Sequence, residues 1–236
     1  MKRLKEELAK LNVKKALDIA TRTGDFAVTL AKGLGGYEEI IAIDIDEKAM
    51  EKGRAKTGDL PGLRFEKRDG YHTGFPDHCF DLIGISNSLH HFADLDALFA
   101  EIRRLLAPGG AVVINEMPRD RQEGAPGTHF RLHWWDCDVD TARGVFHGKN
   151  FSCREIAELV REHGIAIEKE FLDQETNPDL VPPLVKRLEN MEEKLEKVKD
   201  APDYEEMAAE MGRVREYYAR HGVARANQYV VIGRLA

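Results

Sequence analysis

The stretch Ala16-Leu17-Asp18-Ile19-Ala20-Thr21-Arg22-Thr23-Gly24-Asp25 decides the predicted fold. Its first five residues, 16–20, are a short apolar run of the kind that forms a buried strand. A turn with one glycine follows, and helix-periodic sequence begins at Phe26. A strand, a tight turn and a helix in this order form the first half of a crossover unit in a parallel sheet.

The same alternation recurs along the chain. Further strands are predicted at residues 39–44, 63–67, 81–86, 111–116, 165–171 and 228–234. Helices are predicted at residues 26–33, 47–57, 94–106 and 153–163. Seven strands that alternate with helices indicate an α/β fold with a mostly parallel sheet and helices on both faces.

Composition narrows the class of protein. The 236 residues suit one domain with a helical elaboration. No apolar run approaches the roughly 20 residues that span a bilayer, and the charged N-terminus does not resemble a secretion signal. Three widely spaced cysteines, Cys79, Cys137 and Cys153, suit a reducing compartment. We therefore expect a soluble, cytoplasmic protein, and the net charge of −7 disfavours nucleic acid as a partner.

Two segments interrupt the α/β alternation. Residues 118–150 form a long insert before the sixth predicted strand, and inserts of this length are often functional lids. Residues 178–222 carry apolar side chains at steps of three and four, which predicts a two-helix hairpin. The predicted domains are 1–177 with 223–236, including the lid insert, and the hairpin 178–222. Such a narrow apolar stripe needs a partner surface, so we expect it to cover the active site or to form a homodimer.

The turn after the first strand also predicts a ligand. In open parallel sheets, ligands bind beyond the carboxyl ends of the strands. Asp44 ends the second strand, where a carboxylate can bind two ribose hydroxyls. A dinucleotide site needs a G-x-G-x-x-G turn, but only Gly24 is present here, and Arg22 would obstruct a diphosphate. S-adenosyl-L-methionine, which has no phosphate, fits this turn better than NAD does.

Several motifs resemble those of the class I S-adenosylmethionine-dependent methyltransferases. The stretch 17–24 resembles their first motif, Asp44 stands at their acidic second motif, and Arg68-Asp69-Gly70 resembles the turn near the adenine. Residues 80–92 resemble the fourth-strand motif, and residues 105–110 match the turn before strand five. The resemblance covers about 16–171 and is nearest to the small-molecule branch that includes the ubiquinone and menaquinone C-methyltransferases. It implies a Rossmann-like fold.

The resemblance also implies roles for individual residues. Asp18 would orient the turn and the methionine ammonium, Gly24 would allow close approach of the cofactor, Asp69 would meet the adenine amine, and Asn87 would lie beside the methionine moiety. The remaining cofactor residues predicted from the same motifs are Ala20, Thr21, Arg22, Ile45 and Gly70.

Two residues of the turn depart from the family pattern. Ala20 and Arg22 replace two family glycines, so we expect the turn to lack its usual backbone freedom. Arg22 is predicted to pair with the methionine carboxylate. Loss of cofactor binding is the alternative.

Histidines and aromatic residues predict where the substrate binds. His91, His129 and His133 are the candidate bases. Pocket-lining residues are predicted within the insert at Arg131, Trp134, Trp135 and His147. Arg131 suggests an anionic substrate.

On a helix, His129, His133 and Cys137 would share one face. That spacing permits metal ligation, but packing is the simpler interpretation, and we assign no metal site.

The sequence thus predicts a methyltransferase that acts on a small molecule whose identity the residues do not reveal. Two alternatives stay open. One is an NAD-dependent oxidoreductase on the same architecture. The other is a protein that binds S-adenosylmethionine or a metal without methyl transfer and uses the hairpin as an interaction surface.

Overall fold

The computed structural model describes residues 1–58 and 60–235; residues 59 and 236, which the predicted domain ranges include, lie outside the described residues. The strands are β1 Lys15–Ile19, β2 Glu39–Asp44, β3 Leu63–Lys67, β4 Phe80–Ser86, β5 Leu106–Glu116, β6 Ile165–Asp173 and β7 Gln228–Leu235. The α-helices are α1 Lys2–Leu8, α2 Asp25–Gly33, α3 Glu47–Thr57, α4 Leu95–Leu105, α5 Ala125–Ala142, α6 Cys153–Glu162, α7 Pro182–Glu189, α8 Met191–Glu196 and α9 Tyr204–His221. Short 3-10 turns lie at Leu89–His91 and Pro178–Leu180.

The strands form one seven-stranded sheet in the order β3-β2-β1-β4-β5-β7-β6. The pairs β1–β2, β2–β3, β1–β4 and β4–β5 are parallel, whereas β7 runs antiparallel to β5. The predicted fold class is therefore confirmed, and six of the seven predicted strands begin and end within two residues of the observed limits.

The start of β5 differs from the prediction. Leu106 was expected to end the preceding helix and residues 108–110 to form a tight turn, but residues 106–110 belong to the strand as an irregular segment. Phe80 pairs with Leu106 and Leu82 pairs with Ala111, so extra residues bulge out between the two pairs. Gly109 takes a φ of 76° there, a conformation that glycine adopts without steric cost.

The chain divides into two compact units. The sheet unit comprises Met1–Glu116, Arg154–Asp173 and the stretch from Tyr229 onward. Its core is formed by α1 and α2 on β1, β2 and β4, through buried residues such as Leu4, Leu8, Ala16, Leu30, Ile40 and Leu82.

The helical unit comprises Met117–Cys153 and Gln174–Gln228. The insert and the hairpin segment therefore pack together, whereas the prediction assigned the insert to the sheet domain and made the hairpin separate. The hairpin also has a different form: its first arm is broken at Asn190, where the backbone leaves helical values (φ −86°, ψ 5°), giving α7 and α8 before α9. Asparagine favours such breaks because its side chain competes for backbone hydrogen bonds.

The apolar stripe of the hairpin is covered within the same unit. Leu132, Trp135 and Val139 of α5 form one core with the stripe residues Leu188, Met191, Leu195, Val198, Met207 and Val214. The partner surface that the sequence required is therefore α5. This removes the reason for expecting a homodimer through the stripe.

None of the helices in the described residues is long and apolar enough to cross a bilayer.

A buried ion cluster fixes α5 to the hairpin. Asp136 is only 7% exposed. Its carboxylate accepts hydrogen bonds from the guanidinium of Arg187 on α7 and, at 2.7 Å, from Lys194 Nζ on α8. Two cations around one buried carboxylate compensate for its desolvation, so the charge holds three helices in register.

We expect Asp136→Asn to lower the free energy of unfolding by about 2 kcal/mol, because the amide loses the charge while both cations stay partly buried. Urea denaturation followed by circular dichroism measures this change. The matched control is Asp138→Asn, whose more exposed carboxylate pairs with Lys149 and should contribute less than about 1 kcal/mol. Equal effects of the two substitutions would contradict a structural role for the Asp136 cluster.

Candidate functional site

The residues predicted to bind the cofactor meet at one edge of the sheet unit. The turn after β1 reaches β2, where Thr21 N donates to Ile43 O at 2.9 Å. It also approaches the end of β4, where Ser88 Oγ lies 3.4 Å from Ala20 O. Because β1 lies between β2 and β4, this edge is where the strand order reverses, and ligands bind at such a point in open α/β sheets.

The turn after β1 has a left-handed backbone at both positions where a family glycine is replaced. Ala20 has a φ of 57° and Arg22 a φ of 51°, both in the left-handed region, and Gly24 follows with 76°. We expected the substitutions to restrict the turn, but the left-handed conformation is retained at a steric cost. Gly24 itself cannot be replaced as easily, since a Cβ there would lie 2.6 Å from Phe65 Cζ.

Asp44 anchors this turn. Its Oδ2 accepts from Arg22 N and its Oδ1 from Asp46 N, each at 2.8 Å. A carboxylate oxygen has two lone pairs, so both oxygens can accept a further hydroxyl donor. The neighbouring side chain of Ile45 is 69% exposed, an unusual state for isoleucine that suits an apolar contact with a planar ring.

Asp18 is a buried carboxylate beneath the turn. It is 1% exposed. Its Oδ2 accepts from Thr21 Oγ1 at 2.5 Å, and its Oδ1 has no hydrogen-bond partner among the described residues. Burial raises the pKa of Asp18 to about 7, although hydrogen bonding from Thr21 and from the backbone of Ala27 lowers it. An unsatisfied buried acceptor is costly, so a cationic donor such as an ammonium fits here.

Asp69 and Gly70 form a tight turn after β3. Asp69 Oδ1 accepts from Tyr71 N at 2.9 Å, which makes Asp69 a turn-stabilising residue in addition to its predicted adenine contact. Gly70 is closely packed, because a Cβ there would lie 3.0 Å from both Ile19 Cγ2 and Phe92 Cε1, and these side chains would have to shift to admit it.

Asn87 ends β4 in a left-handed conformation. Its φ is 50°, and its backbone N–H donates to Asn115 O at 2.8 Å on β5. The turn that follows leaves the predicted base His91 exposed, with its ring 4.4 Å from the ring of His90 between centroids.

Glu116 stabilises the turn that follows β4. The sequence did not predict this role. This carboxylate, 2% exposed, accepts from Ser88 N at 2.6 Å and Leu89 N at 2.8 Å, and its Oε2 lies 3.3 Å from His90 Nδ1. The signal that could have identified it is an acidic residue directly after the apolar run of β5, a position that points to a buried, hydrogen-bonded charge.

The predicted substrate residues belong to the helical unit, where two of them are structural. His129 is 5% exposed and its Nδ1 accepts from Ala226 N at 3.0 Å. Burial, with the charges of Arg225 and Arg187, holds its pKa well below the usual value. Because Nδ1 is already an acceptor in a backbone hydrogen bond, the structure gives His129 a packing role instead of the predicted catalytic one.

Trp135 also differs from its predicted role. It is fully buried, and its Nε1 donates to Met207 O at 2.9 Å. The tryptophan therefore belongs to the core of the helical unit instead of a substrate pocket.

Arg131 and Trp134 do line a cavity. The cleft lies between α5 and the start of α9 and has a volume of about 930 Å³. Trp134 packs against Phe130 with ring centroids 5.1 Å apart, and the Arg131 guanidinium lies 4.5 Å from the Tyr217 ring centroid. The size is that of a small-molecule site.

His133 and His147 face each other elsewhere in the helical unit. Their ring centroids are 5.0 Å apart, and His147 Nδ1 lies 3.0 Å from Asp140 Oδ2. Cys137 is fully buried, and its Sγ donates to Gly148 O at 3.6 Å. Burial raises the pKa of this thiol to about 12, which keeps it protonated. His129 and Cys137 are thus both used in backbone hydrogen bonds, and the predicted metal-compatible face with His133 is not formed.

The backbone strain at Ala20, in the turn after β1, can be measured. We expect Ala20→Gly to raise the free energy of unfolding by about 1 kcal/mol, because glycine adopts a positive φ without the steric penalty. The matched control is Ala31→Gly in α2, which should lower it by about 1 kcal/mol because glycine weakens a helix interior. Urea titration of both variants distinguishes the signs, and a loss of stability in Ala20→Gly would contradict backbone strain at this position.

Residues 17–114 match the family model described as a methyltransferase domain. Curated relatives include the demethylmenaquinone methyltransferases of Staphylococcus saprophyticus, 34% identical over 115 residues (48% of this chain and 49% of the relative), and Staphylococcus aureus, 32% identical over 115 residues (49% and 48%). The chain spans about half the length of these relatives.

Solved structures extend the similarity of fold to the whole chain. A SAM-dependent methyltransferase from Thiobacillus denitrificans, in complex with S-adenosyl-L-homocysteine, gives a TM-score of 0.59 at 16% identity and covers 100% of this chain and 90% of that one. A SAM-dependent methyltransferase from Geobacter sulfurreducens, in complex with the same compound, gives 0.59 at 15% identity with 100% and 90% coverage. The comparisons agree with the resemblance inferred from the motifs: residues 17–114 are similar to a methyltransferase domain, and the chain shares the Rossmann-like fold of these solved structures.

Proposed function

We propose that the protein is an S-adenosyl-L-methionine-dependent methyltransferase that acts on a small molecule. The observation that carries this proposal is the turn after β1, which keeps a left-handed shape at Ala20, Arg22 and Gly24 and is tied to Asp44 at the end of β2. The match of residues 17–114 to the methyltransferase domain supports it, as do the ligands named for the similar structures.

The residues of the sheet unit fit the cofactor. Asp44 would hold the ribose, and Ile45, Asp69 and Gly70 would contact the adenine. Asp18, with its unsatisfied buried oxygen, would receive the methionine ammonium. Thr21, Arg22 and Asn87 would complete the site, with the exposed Arg22 side chain available for the methionine carboxylate.

S-adenosylmethionine supplies an activated methyl group on its sulfonium. The protein must then align the acceptor, exclude water and, for a weakly acidic acceptor, remove a proton. Of the predicted bases, exposed His91 in the sheet unit and His133 in the helical unit stay candidates, whereas His129 does not.

The cleft lined by Arg131 and Trp134 is our candidate for binding the methyl acceptor. Its aromatic wall suits a planar or apolar molecule. Acidic residues such as Asp138 and Glu210 line the cleft together with basic ones, so the charge of the cleft as a whole would not attract an anion. An anionic acceptor would therefore have to bind through direct contact with Arg131.

An NAD-dependent oxidoreductase is the competing function. It would need the turn after β1 to accept a diphosphate close to the backbone. The side chains of Ala20 and Arg22 occupy two positions of that turn, which disfavours this alternative.

Calorimetric titration separates the two functions. We expect S-adenosylhomocysteine to bind with micromolar affinity and NAD to show no saturable binding. Asp44→Ala should weaken binding of the adenosyl ligand at least 100-fold, on the order of 3 kcal/mol, because it removes the ribose contacts and the anchor of the turn.

Glu168→Ala is the control for this titration, since it removes an acidic side chain of β6 that pairs with Arg234 and should leave the affinity unchanged. Tight NAD binding, or no binding of S-adenosylhomocysteine to the folded protein, would overturn the proposed function.

The raised pKa of Asp18 predicts a pH dependence. The folded-state pKa of about 7 lies above the ordinary value of 3.8, so the stability contributed by protonated Asp18 is present below pH 3.8 and is lost as the pH rises through 7. Cofactor binding should have the opposite slope, because the ammonium pairs with the ionised carboxylate. We expect the affinity for S-adenosylhomocysteine to rise up to about tenfold from pH 6 to pH 8.

Asp18→Asn tests this assignment, since the amide cannot ionise and the contribution of residue 18 should disappear from both slopes. Calorimetry and urea titrations across the pH range measure them. Slopes that persist unchanged in the variant would assign the titration to another group.

A further inference from the structure

The helical unit contains a pair of histidines that the proposed function does not use as a pair. We propose that His133 and His147 bind one divalent transition-metal ion of the Zn²⁺ class. This inference is independent of methyl transfer, since it rests on residues of the helical unit alone.

The first support is the placement of the two rings. His133 lies on α5, and His147 lies in the segment that follows this helix. The ring planes are inclined at 63°, and one ring nitrogen of each residue lies within 4.8 Å of the other. Zinc binds imidazole nitrogen at about 2.0–2.1 Å, so two ligands in a tetrahedral site stand roughly 3.4 Å apart. Small side-chain rotations would close the remaining gap.

The second support is Asp140, which orients His147. Its Oδ2 lies 3.0 Å from His147 Nδ1, so this nitrogen carries the proton and Nε2 is the coordinating atom. A carboxylate bonded to the far nitrogen of a ligating histidine is the usual outer partner in metal sites. Asp140 lies seven residues after His133 on α5, which places both on the same face of the helix.

The charges around this group favour an ionised Asp140. Lys194 Nζ lies 3.6 Å and Arg143 Nη1 3.5 Å from Asp140 Oδ1. The Lys194 ammonium is shared with Asp136, so its repulsion of a bound cation is reduced.

The ligand set differs from the one that the helical spacing suggested. His129 and Cys137 make backbone hydrogen bonds, whereas His133 gains a partner from beyond the helix, His147. Two imidazoles leave coordination positions to water or to an added ligand, and nitrogen ligands suit Zn²⁺, Cu²⁺ or Ni²⁺ better than Mg²⁺ or Ca²⁺.

Competition of the metal-free full chain with a chromophoric chelator for Zn²⁺ tests the proposal. A background of Cys79→Ser and Cys153→Ser removes the two half-buried thiols as rival ligands. We expect one Zn²⁺ per chain, and at least a 100-fold loss of affinity in His133→Ala and in His147→Ala. Asp140→Asn should weaken binding by about 10-fold, as loss of an outer partner does. The control His221→Ala removes an exposed histidine of α9 and should bind as the parent does.

A second measurement keeps the result interpretable if a variant folds poorly. Zn²⁺ should raise the urea midpoint of the parent, since a ligand of the folded state stabilises it, and should not raise that of His133→Gln. Circular dichroism checks that each variant is folded. Absence of saturable Zn²⁺ binding in the parent, or equal affinity in the parent and both histidine variants, would overturn the proposal and leave the pair a packing contact.

Discussion

The candidate cofactor site depends on the hydrogen bond from Arg22 N to Asp44 Oδ2, which fixes the turn after β1 to the end of β2. β1 is paired on both sides, with β2 and β4, so its direction at the sheet edge is determined by the core. The turn must then reverse the chain into α2 within a few residues, and left-handed conformations at Ala20, Arg22 and Gly24 achieve this. Strain concentrated in one turn is a common property of binding sites, because surrounding structure must hold the conformation in place.

Two buried carboxylates, Asp18 and Glu116, have different roles in the candidate site. Asp18 keeps one oxygen without a partner and has a raised pKa, which prepares it for a proton or a cation. Glu116 instead directs its oxygens at two backbone N–H groups and the His90 ring, so it stabilises the loop that carries Asn87 and His91. The same residue class thus provides a ligand contact at one strand end and a structural anchor at another.

The helical unit shows how one helix can serve several purposes. The face of α5 that includes Leu132, Trp135 and Val139 supplies the core, and Asp136 adds the ion cluster with the hairpin. The face with Phe130, Arg131 and Trp134 lines the cleft. His133 and Asp140 lie on a third face, where His147 joins them. The helical period of 3.6 residues separates these functions although their residues are interleaved in the sequence.

The sequence by itself determined the seven strands, the four predicted helices of the sheet unit and the position of the turn after β1, because periodicity and strand-end motifs are local properties of the chain. It also predicted Asp18, Asp44 and Gly24 as residues of the candidate site. Only the tertiary structure decided that α5 covers the hairpin stripe, that Trp135 and His129 are packing residues, and that Glu116 anchors a turn. These facts depend on contacts between residues distant in the chain. On a helix, a histidine that packs and one that faces a ligand have the same local sequence signal until their neighbours are known.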